Sequence, residues 1–278
     1  MSGFLASDPV RVALVAGAVA AVVSGVVGVF TVVRGQSFAG HAFGDLGTLG
    51  GSGAFLVNVN PLWGFVSVGA VVAGGMELVG VQRRRGRDVA TGIVLGAALG
   101  AAALLLYLDT TRSSTTGAAV TVLFGSIFAV ASGSLPVMAG LAGAGVLAVV
   151  ALYRPLLLSS FHPELASVRG VPVRAVTLGF LVLMGVTVSL TSMVVGTILS
   201  PALLVGPAAC ALRLSKRPGV AMVMAAGIGL VVTWAGIALA YASATWPPSH
   251  AGWPVSFFVV ALVFLTYLGV EAGAAARS

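Results

Sequence analysis

The stretch VRVALVAGAVAAVVSGVVGVFTVV (10–33) carries a single charged side chain, Arg11, and is otherwise made of apolar and small residues. A helix needs roughly 20 predominantly apolar residues to cross the hydrocarbon core of a bilayer, and this stretch is long enough. It is too long for the apolar core of a signal peptide, and Arg34 follows it instead of a small-residue cleavage site. We therefore predict that 10–33 is a transmembrane helix that the protein retains.

The rest of the chain has the same apolar character. Of its 278 residues, 59% are hydrophobic and 8% are charged, and the mean hydropathy is +1.11. A soluble globular domain has about a quarter of its residues charged, so that class is excluded. We predict an all-α polytopic membrane protein with a single transmembrane domain over 1–278. About nine stretches have the length and composition of a span: 10–33, 37–57, 61–81, 89–108, 135–153, 173–191, 193–212, 219–243 and 253–270.

The net charge of +7 follows the predicted topology. If the N-terminus lies outside, the extracytoplasmic basic residues are Arg11 and Arg112, and twelve others are cytoplasmic. An excess of Lys and Arg in cytoplasmic loops is typical of multi-pass proteins of the plasma (inner) membrane. It explains the charge without nucleic-acid binding and predicts a cytoplasmic C-terminus. The twelve are Arg34, Arg83, Arg84, Arg85, Arg87, Arg154, Arg169, Arg174, Arg213, Lys216, Arg217 and Arg277.

Three apolar pieces lie between the cytoplasmic loops at 83–88 and 154–172, although an even number of crossings is required. The middle piece, 116–131, is the shortest, and Thr, Gly and Ser flank it. Irregular backbone is tolerated at membrane depth only where protein or water satisfies its polar groups. We predict that 116–131 is a short re-entrant or interfacial helix that does not cross.

The segment RPLLLSSFHPELASVRGVPVR (154–174) contains the signals of a short cytoplasmic helix. Pro163 suits the first helical position, and Glu164 complements the positive end of the helix dipole. Gly170, followed by Pro172, ends the helix.

This helix would present an apolar strip next to a charged residue, Arg169. Leu165 and Val168 share one helical face, and Phe161 lies just before the helix begins. Such a strip needs either a protein partner or a lipid surface on which the helix lies, and the pattern alone leaves both open.

Ionisable residues within spans are costly and are therefore candidates for function. His41 and Asp45 are four residues apart, so they share a helix face and could bind one divalent cation such as zinc or manganese. A buried hydrogen-bonded pair that fixes helix packing is the alternative. Glu77 could add a third ligand if its span is adjacent, although snorkelling to the interface also explains it.

Prolines interrupt one of the later spans. Pro201 and Pro207 each remove a backbone donor, and Gly196 and Gly206 loosen the same stretch. A kinked or broken helix is predicted. Broken helices line transport pathways, and a kink that serves packing alone is the other interpretation.

The chain has no recognisable energy source of its own. Lys216 is its only lysine, and it does not follow a glycine-rich loop, so the phosphate-binding motif of an ATPase is missing. The chain is predicted not to be an enzyme, and any ATP hydrolysis would occur on a separate subunit.

Three stretches resemble the membrane permeases of metal-type ABC importers, the zinc, manganese and iron group. They are RGQSFAGHAFGDLG (34–47), LLLSSFHPELASVRGV (156–171) and VGTILSPALLVGPAACAL (195–212). The second usually begins Phe-Asp-Pro-Glu in that family and forms the coupling helix that docks on the ATPase. Here Phe161, Pro163 and Glu164 match, and His162 replaces the Asp. The resemblance implies that these residues, with Leu165 and Gly170, bind the ATPase.

The first of these stretches carries the residue types of the family's metal site. Many members have Gly-Asp-Ala-x-x-His there, whereas Gly40, His41, Ala42 and Asp45 present the same two types in exchanged positions. The resemblance implies a homodimer that moves a divalent metal ion inward, with the ion as substrate and no permanently bound cofactor.

The family's partners complete this interpretation. They are an ATP-binding cassette subunit, an extracytoplasmic metal-binding protein, a second copy of the permease and membrane lipid. The rival interpretations are a secondary metal transporter and a membrane scaffold whose segment 154–174 recruits a cytoplasmic partner.

Overall fold

The computed structural model describes residues 7–78, 87–113, 117–246 and 252–275. Within these ranges every regular element is helical. We number the α-helices in chain order: α1 (Asp8–Val33), α2 (Ser37–Leu56), α3 (Pro61–Leu78), α4 (Arg87–Ser113), α5 (Ala118–Phe124), α6 (Leu135–Ala151), α7 (Tyr153–Phe161), α8 (Pro163–Val168), α9 (Val173–Val195), α10 (Ser200–Leu214), α11 (Pro218–Ser243) and α12 (Val255–Ala275). Single 3-10 turns lie at Ile127–Ala129 and Ser132–Ser134.

Five described segments are long and apolar enough to cross a membrane: Asp8–Val33, Ser132–Ala151, Val173–Val195, Pro218–Ser243 and Val255–Ala275. Shorter apolar helices lie at Pro61–Gly75, Leu95–Thr111 and Ser200–Leu214. The all-α, membrane-spanning architecture agrees with the sequence prediction. The count of nine spans stays a prediction.

Two helices form the centre of the bundle. The most apolar windows of α1 and α9 are 61% and 72% buried, which are the largest shares among the five long spans. Helix α1 packs against α6, α9, α10 and α11, while α9 also packs against α2 and α3. Helix α9 therefore lies between two groups of helices. One group is α2, α3 and α4, and the other is α1, α10, α11 and α12.

Glycine lets two of the central helices approach closely. A Cβ added to Gly50 on α2 would overlap the carbonyl of Gly64 on α3, and a Cβ on Gly64 would overlap the carbonyl of Gly50. Small residues at such crossings bring backbones into van der Waals contact, which drives helix association where lipid provides no hydrophobic effect. The buried face of α2 is thus fixed against α3.

The helix at 118–124 is too short to cross. Helix α5 has 7 residues and ends at Gly125, whose φ of 74° is accessible to glycine without steric cost. The Val122 and Leu123 carbonyls accept hydrogen bonds from the backbone N–H groups of Thr197 and Ile198, at 3.1 and 3.3 Å. The C-terminal end of α5 therefore lies against the junction between α9 and α10.

The predicted single span at 193–212 is wrong in its boundaries. Helix α9 continues to Val195, and the chain then breaks at Gly196, with φ of 91°, before α10 begins at Ser200. Pro201 lies in the first turn of α10, where its missing N–H costs nothing, and Pro207 lies inside α10 without ending it. The helix is broken, as predicted, but glycine makes the break.

Candidate functional site

Helix α2 positions the two predicted metal ligands on its open face. His41 Nε2 lies 3.5 Å from Asp45 Oδ2, and the two side chains are 50% and 19% exposed. Gly40 and Gly44, each one residue before a member of this pair, are buried. The predicted sharing of one face is therefore present, with His41 exposed and Asp45 partly buried. We call His41 and Asp45 the intramembrane pair, after the predicted span at 37–57.

The hydroxyl groups in the next two turns of α2 bond to the helix backbone and not to the side chains of the intramembrane pair. The Thr48 hydroxyl donates a hydrogen bond to the backbone carbonyl of Asp45, not to its carboxylate. The Ser52 hydroxyl donates in turn to the Thr48 carbonyl, at 2.6 Å. Both hydroxyls are satisfied within the helix, so the Asp45 carboxylate keeps its free lone pairs for another ligand.

The side chain of the third predicted ligand, Glu77, lies outside the described residues. Among the described residues no group of three or more His, Cys, Asp or Glu side chains is placed to hold a metal ion. A metal bound by His41 and Asp45 would need further ligands from water or another chain.

The broken junction between α9 and α10 packs against α2 at Gly44, the residue before Asp45. A Cβ on Gly44 would be 2.9 Å from the Thr197 carbonyl oxygen, 3.2 Å from the Ser200 hydroxyl and 3.8 Å from Pro201. The structure therefore brings Pro201 to the level of Asp45. Pro207 is buried further along α10 and faces Gly229 of α11 instead.

Segment 154–174 forms two short helices instead of one. Helices α7 and α8 meet at His162, which makes no side-chain cap for α8, and Pro163 occupies the first turn as predicted. Gly170, with φ of 76°, follows the end of α8, as predicted from the sequence. We call residues 153–168 the docking segment.

The docking segment exposes the predicted apolar strip. Phe161, Leu165 and Val168 are 55%, 48% and 85% exposed, whereas Ala166 is fully buried and holds α8 to the protein. A groove of about 410 Å³ begins at Phe161, at one end of the strip. It is lined by Arg154, Leu157, Leu158, Phe161, His162 and Arg169. An apolar groove edged by two arginines suits a partner surface that combines apolar and acidic side chains.

Comparison with known proteins agrees with these features. The ABC 3 transport family matches residues 7–269, which is nearly the whole chain. The chain belongs to this family. The resemblance seen in its three sequence stretches is confirmed, and the protein is a multi-pass membrane permease of the metal-type ABC group.

Two relatives and one structure define the similarity to other ABC 3 proteins. The chain is 31% identical over 225 residues to the manganese transport system membrane protein MntC of Halalkalibacterium halodurans, covering 81% of this chain and 76% of the relative. It is 30% identical over 236 residues to the manganese import system permease protein ScaB of Streptococcus pneumoniae, covering 82% and 80%. The structure of PsaBC from Streptococcus pneumoniae in complex with Fab has a TM-score of 0.81 at 24% identity, covering 97% and 93%. That structure shares the fold.

Sequence reasoning missed two structural features around the site of this ABC 3 permease. The Thr197 carbonyl and Ser200 hydroxyl lie next to α2, and the only sequence signal for them was the glycine at 196. Arg34 was counted only as a topology signal, yet its side chain bridges two other helices. Its position as a lone arginine between two apolar runs was the available clue.

Proposed function

We propose that this chain is the permease of an ATP-driven importer that carries a divalent metal ion into the cytoplasm. Manganese is the preferred candidate, ahead of zinc and iron. The observation that supports this most is the intramembrane pair. A His and a carboxylate on one face of a membrane helix raise the free energy of the folded protein and are therefore expected to serve a function. The names of MntC and ScaB favour manganese.

The chemistry of the pair suits a site of transit. Imidazole nitrogen and carboxylate oxygen both bind manganese and zinc, and geometry and availability select between such metals more than affinity does. A closed set of four protein ligands would hold zinc as a structural element. Two ligands with open positions allow the ion to enter and to leave.

A second copy of the permease would complete the site. His41 is 50% exposed on a face that no described helix covers, so a symmetry-related α2 could place its own pair opposite the first. A symmetric dimer brings the same surface from both copies together. The metal would then be held between two chains and released when they move apart during alternating access.

The broken junction packed against α2 supports a pathway near this helix. Irregular backbone at membrane depth occurs where it is buried in protein or lines a water-filled cavity. The break meets α2 at Gly44, the residue before Asp45, and the Ser200 hydroxyl donates to the Thr197 carbonyl at 3.1 Å. Pro201 lies in the first turn of α10, where no N–H is needed from it.

The docking segment would bind the ATP-binding cassette subunit. It lies in the predicted cytoplasm, and its strip of Phe161, Leu165 and Val168 has no partner within the described chain. An extracytoplasmic metal-binding protein would deliver the ion at the opposite side, which is the side predicted for the N-terminus from the charge distribution.

The test is purification of the tagged chain from its native membrane, followed by reconstitution into vesicles. We expect an ATPase subunit to co-purify and Mn²⁺ to enter the vesicle lumen that corresponds to the cytoplasm only when ATP is present on that side. A secondary transporter would move Mn²⁺ without ATP, and a scaffold would move none, so either result would overturn the proposal.

A further inference from the structure

A link of three residues, Arg34, Gly35 and Gln36, joins α1 to α2. The backbone N–H groups of all three donate to carbonyls in the last turn of α1, at 2.9–3.0 Å. Gly35 has φ of 65°, the left-handed conformation that closes a helix and that glycine adopts without strain. The link is therefore rigid, and a displacement of its side chains is passed to the backbone at the start of α2.

The Arg34 side chain reaches from this link to two other helices. Its Nη2 donates to Thr177 Oγ1 on α9 at 2.9 Å, and its Nη1 donates to Ser159 Oγ on α7 at 3.5 Å. Its Cζ lies 5.2 Å from the centre of the Phe180 ring, within the range of a cation–π interaction. One guanidinium thus connects the link, the docking segment and the central helix α9.

This arrangement is expensive if its only purpose is stability. Burial lowers the pKa of the Arg34 guanidinium, and the ion pairs His41–Asp45 and Arg213–Glu271 of the described chain do not include it. A partly buried cation with only neutral acceptors costs more than an apolar side chain of the same size would. The residue is better explained by the geometry of its contacts than by their strength.

An aromatic cluster also connects the end of α1, the docking segment and α9. The Phe30 ring, in the last turn of α1, lies 6.0 Å from the Tyr153 ring and 6.4 Å from the Phe180 ring, both edge to face. Tyr153 begins the docking segment. Because these rings are packed against each other, the first turn of the docking segment cannot shift without moving the end of α1.

We propose that Arg34 is a positioning residue that transmits movement of the docking segment to α2 and its intramembrane pair. This inference depends on the proposed function. Ser159 lies two residues before Phe161, and His41 lies seven residues after Arg34, so the guanidinium stands between the surface that would bind the ATPase and the helix that would bind the metal.

The fork of the guanidinium explains why this position needs arginine. Its planar group donates in two directions at once while its face lies on an aromatic ring. A lysine would keep the charge but could not hold Ser159, Thr177 and Phe180 in the same geometry. The substitution Arg34→Lys therefore separates charge from geometry.

The experiment uses the permease with its co-purified ATPase in vesicles and measures Mn²⁺ transported per ATP hydrolysed. Arg34→Lys and Thr177→Val should leave ATP hydrolysis nearly unchanged and lower this ratio about tenfold, in the range of typical coupling between sites. Their combination should lower it little further, because both remove the same contact. Arg174→Ala, an exposed arginine on α9, is the matched control and should leave the ratio unchanged.

The melting temperature of each variant is measured in the same preparations. A purely structural role would lower the melting temperature, ATP hydrolysis and Mn²⁺ transport together, without changing the Mn²⁺ transported per ATP hydrolysed. That result would overturn the inference. An unchanged ratio in both variants would also overturn it while leaving the proposed function intact. If the wild-type chain carries no ATPase or moves no Mn²⁺, the proposed function fails first.

Discussion

The intramembrane pair and the docking segment are mismatched with their surroundings in opposite ways. His41 and Asp45 are polar side chains on a helix of small and apolar residues, whereas Phe161 and Leu165 are apolar side chains in a loop between spans. Both groups are displayed on the outside of the chain. Polar groups out of water and apolar patches in water are costly unless something binds them. The comparison indicates that both surfaces are completed by partners, and that the partners differ in chemistry.

The largest effect is expected at the pair. His41→Ala or Asp45→Ala should reduce Mn²⁺ uptake about 100-fold, since losing even an outer-shell partner of a metal ligand costs roughly 10–100-fold. The melting temperature and basal ATP hydrolysis should stay close to wild type because His41 is half exposed and neither side chain belongs to the apolar core. Uptake and thermal unfolding are measured on the same preparations.

Thr48→Val is the matched control for these two variants. The Thr48 hydroxyl bonds to the Asp45 backbone, so its loss should leave uptake nearly unchanged. If the pair only fixes helix packing, the alanine variants will instead lose stability and yield, and uptake will fall in proportion to the protein recovered.

The docking segment should show the next largest effect. Leu165→Asp places a charge in the apolar strip, and losing one buried leucine, worth about 1.5–3 kcal/mol, weakens binding of the ATPase roughly 10–100-fold. Ser167→Ala, on the same short helix, should leave binding unchanged. Titration of the ATPase against each variant measures the affinity. Equal affinities for the two variants would mean that the strip lies on lipid.

The buried face of α2 provides the opposite pattern. Gly50→Val introduces a side chain where the Gly64 carbonyl lies, and overpacking of this kind costs about 1–3 kcal/mol. We expect a lower melting temperature and yield, with uptake per folded complex unchanged. Gly53→Ala is the control, since its added Cβ would meet only the end of the Leu105 side chain at 3.8 Å. A selective loss of uptake in Gly50→Val would show that the two faces of α2 are not separable.

Topology variants should have the smallest effect on activity. Lys216→Cys and Thr245→Cys flank α11, and both positions are exposed, while the native Cys210 is buried and gives little background. An impermeant thiol reagent added to intact cells should label Cys at 245 and not at 216, with transport unaffected by either substitution. The reverse labelling would invert the predicted orientation of the chain.

Local signals allowed much of the fold to be predicted. The apolar run 10–33 nearly coincides with α1, and Pro163 begins α8 because its fixed φ and missing N–H suit a first turn. The sharing of one face by His41 and Asp45 follows from helical spacing alone. In each case the information lies within a few residues of the feature.

The features that could not be predicted depend on contacts between distant parts of the chain. The sequence predicts a break in 195–212 but not its position, which is Gly196, where the end of α5 accepts the N–H groups of Thr197 and Ile198. Likewise, nothing near Arg34 indicates that its partners are Ser159 and Thr177. Whether Glu77 approaches α2 depends on the packing of α3 and cannot be derived from spacing.

The contact between α5 and the α9–α10 junction has a consequence for biogenesis. The Val122 and Leu123 carbonyls accept hydrogen bonds from the backbone of Thr197 and Ile198, each 75 residues later in the chain. The Thr197 hydroxyl also donates to the Val122 carbonyl. Synthesis proceeds at about 5–20 residues per second, so α5 emerges roughly 4–15 s before its partner exists. During that interval only water can satisfy these carbonyls, and 118–124 must wait at the membrane surface. Insertion of this permease is therefore not strictly sequential, because α5 reaches its final depth after α9 and α10.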